Sequence, residues 1–182
     1  MNETANIKEA PLAYLSGAIA NAPDGGAGWR NDIIPHLSAL GYRIYNPVTD
    51  QPKATGVSRD VLKEQLKSDL DAYQVSCQKI VKADLQAICH ANIVVARIDK
   101  YLSAGSYGEL TVARMKDIPV FAWVDLPGGI KSLPAWAVGC ITHFSLHGLD
   151  FYKLIPSATA LMGGPSNQLG LPFYETASWL GK

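Results

Sequence analysis

The sequence predicts an α/β fold, a flavodoxin-like (Rossmann-like) three-layer sandwich around a five-stranded parallel sheet. Three observations lead there. Short apolar runs alternate with helical patterns along most of the chain, the signature of a parallel sheet with helical crossovers rather than of a β-sandwich or a bundle. The 182 residues fit one domain with short tails. A composition 48% apolar and only 18% charged can fill a large core and excludes disorder for most of the chain. With right-handed crossovers and strand order 2-1-3-4-5, a ligand belongs at the carboxyl ends of the strands, where the order reverses.

The first strand is expected from Leu12 to Ile19, an apolar run. Ala20 to Gly28, with Asp24-Gly25-Gly26-Ala27-Gly28, is a flexible connector into a helix from Trp29 to Leu40 that ends at Gly41. Arg43 to Asn46 is the second strand, and Ser58 to Cys89 carries either one long helix or a broken pair. A third strand, Asn92 to Ile98, precedes a helix from Ser106 to Lys116. Val120 to Val124 and Cys140 to Leu146 complete the sheet, followed by a helix from Leu149 to Leu161. Residues 1–10 form a polar tail, 11–162 the domain, and 163–182 a second tail. That last tail is rich in Gly and Pro yet holds Leu169, Leu171, Phe173, Tyr174 and Trp179. So many large apolar side chains are expected to dock, with a subunit interface as the favoured seat.

Charge narrows the function. Lys plus Arg and Asp plus Glu both number 16, so the formal charge is zero. A nucleic-acid binder needs a clustered basic excess to displace counterions, and a polybasic membrane-surface protein needs the same. The longest apolar pieces, such as Ile93 to Ala96 and Pro119 to Val124, fall far short of the ~18 residues of a membrane span. Met1 to Glu9 is polar with no apolar signal region, so a cytoplasmic location is expected. Cys77, Cys89 and Cys140 match no CxxC pattern and read as reduced, buried thiols.

The sharpest local feature is Ser103-Ala104-Gly105-Ser106-Tyr107-Gly108-Glu109, between the third strand and an amphipathic helix. Ser106-x-x-Glu109 has the spacing of a capping box, in which the carboxylate would reach back to the Ser106 N–H. Glu109 also shares a helical face with Val112 and Ala113, the residues expected to pack on the sheet. In the first turn of a helix the N-terminal dipole would hold it anionic, suited to nucleophilic attack or to stabilising a cationic transition state. Asp84 falls in line with Ile80 and Ile88, on the apolar stripe of its helix. It either bonds a backbone N–H of a neighbouring loop or, desolvated in a cleft, holds a proton near neutrality. One charged and one protonated carboxyl is the arrangement that glycosidic cleavage through an oxocarbenium-like transition state requires.

Tyr14-Leu15-Ser16-Gly17, Asp50-Gln51, Asp84-Leu85-x-x-Ile88 and Gly105-x-x-x-Glu109, in that order and spacing, resemble the nucleoside 2'-deoxyribosyltransferase family. Pro134-Ala135-Trp136-Ala137-Val138 and Phe173-Tyr174-Glu175-x-Ala177 resemble the end of its lactobacillal members, so the resemblance spans about Tyr14 to Trp179. It implies a homo-oligomeric, flavodoxin-like enzyme of nucleotide metabolism and nucleobase salvage, acting on a 2'-deoxynucleoside and a free nucleobase without cofactor or metal. Glu109 would attack C1' to give a deoxyribosyl-enzyme that a second base resolves. Asp84 would manage the proton on the base, and Tyr14 would orient Glu109. Gly17, Asp50, Gln51, Asp99, Ser103 and Gly105 would line the substrate site.

The departures from the family pattern are specific. Ser103 stands where the transferases often have an Asp that holds sugar hydroxyls, and such a Ser is familiar from the related 2'-deoxynucleoside 5'-monophosphate N-hydrolases, where it serves the phosphate. Ala18 and Ala20 stand where those hydrolases have a Ser and an Arg. Arg30 is a replacement cation behind the Gly-rich loop. Gly139-Cys140-Ile141 occupies the region from which the family commonly lends an Asn to a neighbouring subunit. A nucleoside is therefore favoured over a nucleotide, with the N-hydrolase as first rival and a non-catalytic nucleotide-binding or sensing module as the second. His143 and His147 lack the partners of a zinc site, and Gly25-Gly26-x-Gly28 is neither a dinucleotide fingerprint nor a P-loop.

Overall fold

A computed structural model describes residues 10–163. The sheet has five parallel strands in the order β2-β1-β3-β4-β5, as expected. In chain order the elements are β1 (Leu12–Gly17), α1 (Ala27–Ala39), β2 (Arg43–Tyr45), α2 (Asp50–Thr55), α3 (Arg59–Ser68), α4 (Leu70–His90) and β3 (Ile93–Asp99). They continue with α5 (Ala104–Met115), β4 (Val120–Asp125), a 3-10 turn (Gly129–Ser132), α6 (Ala135–Cys140), β5 (His143–Ser145), α7 (Gly148–Leu154) and α8 (Ala158–Gly163). The tail expected to dock at a subunit interface, and the Phe173-Tyr174-Glu175 segment within it, lie outside the described residues.

Alternation along the central strands makes the three layers. Ala13, Leu15, Ile93, Val95 and Phe121 face one way and pack with Trp29, Ile33 and Leu37 of α1 and Phe151 of α7. Tyr14, Val94, Ala96, Ile98, Val120, Ala122 and Val124 face the other way, onto Ile88 of α4, Leu110 and Ala113 of α5 and Cys140 of α6. A strand buried on both faces needs apolar side chains at successive positions, which is why β1, β3 and β4 are the most apolar pieces of the chain.

Several expected boundaries are corrected. The segment Ser58 to Cys89 is a broken pair: Asp69 adopts extended geometry and its side chain accepts from Ala72 N at 2.9 Å, starting α4 afresh. The fifth strand is short, because Ala135–Cys140 winds into α6 behind Pro134 and leaves only His143–Ser145 to pair with β4. The last helix splits into α7 and α8 near Pro156, since a prolyl residue biases its predecessor away from helical geometry. The cysteines are free, but only Cys140 is buried, Cys77 is half-buried, and Cys89, near the end of α4, is exposed. No helix among the described residues is long and apolar enough to cross a membrane.

Candidate functional site

At the carboxyl end of β1, Tyr14 and Ser16 project from the same face of the strand, two residues apart. Both are buried, and both point at Glu109. The Tyr14 hydroxyl donates to Glu109 Oε1 at 2.9 Å and the Ser16 hydroxyl donates to Oε2 at 2.6 Å. The second distance is that of a hydrogen bond to a charged oxygen. Ser16 was part of the strand motif but carried no expected role; its i+2 spacing from Tyr14 is the signal that would have found it.

These contacts overturn the capping box. Helix α5 begins at Ala104 with Ser103 in the capping position, so Ser106 is already inside the helix and buried. Glu109 therefore sits in the second turn, beyond the reach of the N-terminal dipole, which fades within the first. Burial pushes the Glu109 carboxyl above its ordinary range, and Ser16, Tyr14 and the Arg30 guanidinium offset only part of that rise. The residue as a whole is only partly covered.

Asp84 lies on α4 across from Glu109. Burial first, then the neighbouring Glu109 charge, push its carboxyl up to about 7, with Tyr45 and Arg30 opposing. Its Oδ1 is buried and makes no hydrogen bond among the described residues, which removes the alternative of a backbone-capping Asp for that oxygen. Burial and the charges of Glu109 and Asp84 hold the Tyr14 hydroxyl well above the ordinary phenol range, so it stays a donor.

Arg30 has a different job from the one expected. It is fully buried, and its two terminal nitrogens donate to Ala18 O at 3.2 Å, Gly26 O at 2.7 Å, Leu15 O at 3.3 Å and Gly17 O at 3.0 Å. A guanidinium spent on four carbonyls staples the β1–α1 turn and does not face a ligand phosphate. Gly17 beside it has φ +153°, and a Cβ there would lie 3.0 Å from Arg97 O and 3.1 Å from the Trp29 ring. Only glycine fits that turn.

The remaining expected residues divide. Gln51 lines a cavity of about 290 Å³ with Ile19, Gly25, Pro47, Val57 and Arg59, and its Nε2 is buried with no partner among the described residues. Asp50 is occupied locally: Oδ2 accepts from Asn46 N at 2.9 Å and Oδ1 pairs with Lys53 at 3.3 Å. Asp99 is occupied likewise, accepting from Tyr101 N at 2.9 Å and lying 3.5 Å from Arg97 Nε. Ser103 makes no side-chain cap bond and lies 3.5 Å from the Ser106 hydroxyl, with Gly105 in the same first turn. His143 stacks on Phe121 at 5.0 Å. Among the described residues no group of three or more His, Cys, Asp and Glu side chains is arranged to hold a metal.

The arrangement offers a buried carboxyl held by two hydroxyl donors, beside a second carboxyl pushed up to about 7. Compared with known proteins, the chain matches no protein-family model and no curated protein, so its functional reading rests on this geometry and on the resemblance carried by its residues.

Proposed function

We propose that this protein cleaves the N-glycosidic bond of 2'-deoxynucleosides and transfers the sugar to another nucleobase. The observation that carries the reading is the Glu109 carboxylate, gripped by the Tyr14 and Ser16 hydroxyls with the Asp84 carboxyl alongside. A Glu Oε attacks C1' as the C1'–N bond breaks, its electron pair leaving with the base, and the Asp84 proton goes to the base nitrogen. The incoming base then attacks C1', returns its proton to Asp84 and releases the Glu109 carboxylate. Tyr14 and Ser16 fix the attacking oxygen, and Arg30 behind them supports its charge.

Ser103 favours a second reading, a 2'-deoxynucleoside 5'-monophosphate N-hydrolase, because its hydroxyl makes no cap bond and only a long contact with Ser106 at the start of α5. The sealed Arg30 argues for the nucleoside, since the cation expected to serve a phosphate is committed elsewhere. Incubation with a deoxynucleoside, or its 5'-monophosphate, and a different free base decides between them. Base exchange and a mass increase of one deoxyribosyl group on the Glu109 peptide are expected. Free deoxyribose or its phosphate, without exchange, supports the hydrolase. An unmodified protein and intact substrates leave only a binding module.

A further inference from the structure

The Tyr45 ring lies parallel to the Tyr14 ring, with centroids 5.5 Å apart and planes 11° from each other. The two residues are register partners across β2 and β1. The Tyr45 hydroxyl is buried and, like Asp84 Oδ1, has no hydrogen-bond partner among the described residues. Yet each is near enough to act on the other: the hydroxyl favours the charged form of Asp84, and Asp84 makes the phenol harder to ionise. A buried hydroxyl and a buried carboxyl without a well-formed partner are costly, and these two already act on each other as donor and acceptor.

We propose that Tyr45 is a positioning residue for Asp84: its hydroxyl donates to the carboxylate that remains once Asp84 has given its proton to the departing base. The inference rests on the deoxyribosyl-transfer reading. No proton leaves Tyr45 in this step. Its O–H turns toward the new carboxylate and turns away when the incoming base restores the proton.

Among the described residues, the other groups acting on Asp84 are committed or of the wrong sign, apart from the buried Arg30 Nε, which has no partner. Glu109 on α5 repels its charge, as a second carboxylate must. The Tyr14 hydroxyl on β1 is given to Glu109. Arg30 on α1 attracts the charge, but its terminal nitrogens are held by backbone carbonyls. Asp50 on α2 acts on Tyr45, raising it further, and burial with these charges pushes the phenol up to about 12. Tyr45 therefore keeps its proton at any working pH and is a hydroxyl donor available to Asp84.

The test follows the Asp84 carboxyl directly, by 13C NMR of protein labelled at aspartate carboxyls, alongside the pH profile of deoxynucleoside cleavage. The native protein, Tyr45→Phe and Asp84→Asn are compared; the last assigns the signal. In the native protein the Asp84 signal titrates at about 7. Tyr45→Phe keeps the ring stack, and its midpoint and the alkaline limb of cleavage move up together by about half a unit or more, with plateau kcat reduced. An unmoved midpoint overturns the proposal whatever the activity. A moved midpoint in a protein that cleaves nothing, native included, upholds the coupling and sinks only the transfer reading.

Discussion

The Tyr14 hydroxyl meets the Glu109 carboxylate at 2.9 Å across 95 positions of sequence. One residue comes from β1, the other from the helix after β3, and strand register together with the packing of α5 against β1 brings them together. Tyr14→Phe keeps the buried ring and removes only the donor. Cleavage is expected to fall about 10- to 100-fold in kcat with KM little changed, because a misaligned nucleophile costs the reacting geometry more than it costs binding. Steady-state kinetics checks this, and a rise in KM alone would assign Tyr14 to binding.

Replacement of Glu109 by Gln preserves shape but removes the charge and leaves an acceptor for only one of the two hydroxyls. The deoxyribosyl adduct is expected to disappear with cleavage, while the fold survives, as circular dichroism and intact-protein mass spectrometry would show. An adduct that persists in Glu109→Gln excludes Glu109 as the nucleophile.

Asp84 links the site to stability. Its carboxyl titrates at about 7 in the folded protein, against about 3.9 in an unfolded chain. The folded state therefore binds the extra proton between those values. Stability from this group is full below about pH 4 and declines as pH rises through 7. Asp84→Asn escapes the cost of burying the charge. At pH 8 it should exceed the native protein by about 2–4 kcal/mol, or several degrees in Tm, with the gap closing toward pH 5. Thermal unfolding at the two pH values measures it, and a gap of equal size at both would mean that the carboxylate is not what destabilises.

Arg30→Lys tests the staple. A lysine is a point charge that cannot span the four carbonyls of Leu15, Gly17, Ala18 and Gly26. A loss of about 3 kcal/mol is expected from the urea midpoint. Added inorganic phosphate should restore none of it, because the native guanidinium faces backbone rather than a ligand.

Glycine positions offer a paired control. At Gly26, with φ +75°, a Cβ would run into the carbonyl oxygen of Ala18 and the Arg30 guanidinium, so Gly26→Ala should cost about 2–4 kcal/mol. At Gly108, exposed within α5, nothing lies within 4 Å of a new Cβ. Gly108→Ala should stabilise by about 0.5–1 kcal/mol. Differential scanning calorimetry of the two variants reads both signs.

Much of the sheet was legible because β1, β3 and β4 are buried on both faces and stand out as unbroken apolar runs. The strand order came with the flavodoxin-like layout that five strands and four crossovers suggested. The region around Cys140 was not legible: an apolar stretch of that length suits strand or helix equally, and only Pro134 ahead of it favours the winding that forms α6. Glu109 and Asp84 were readable from spacing and helical face, and Tyr14 only through the resemblance its strand motif carries. The partners that define their chemistry were not. The helix start at Ala104 depends on the extended Ser103, and a box spaced for capping looks identical when the carboxylate turns inward instead. Arg30 gave no sign of burial, since a guanidinium is sealed only when a curled strand end presents four carbonyls at once. Tyr45 lay hidden because its partner is found by sheet register rather than by local pattern.

The long sequence separation between Tyr14 and Glu109 bears finally on how the protein comes to exist. A chain emerging from its N-terminus carries both hydroxyl donors long before the carboxylate they hold. No partly folded form can present that carboxylate as an activated group, because the parallel pairing of β1 with β3 must close first, and closing so long a loop is the slow, entropically expensive step. Chemistry thus waits for topology. A refolding time course followed by adduct formation should lag one followed by helix signal, making the reaction itself a reporter of the last long-range contact to form.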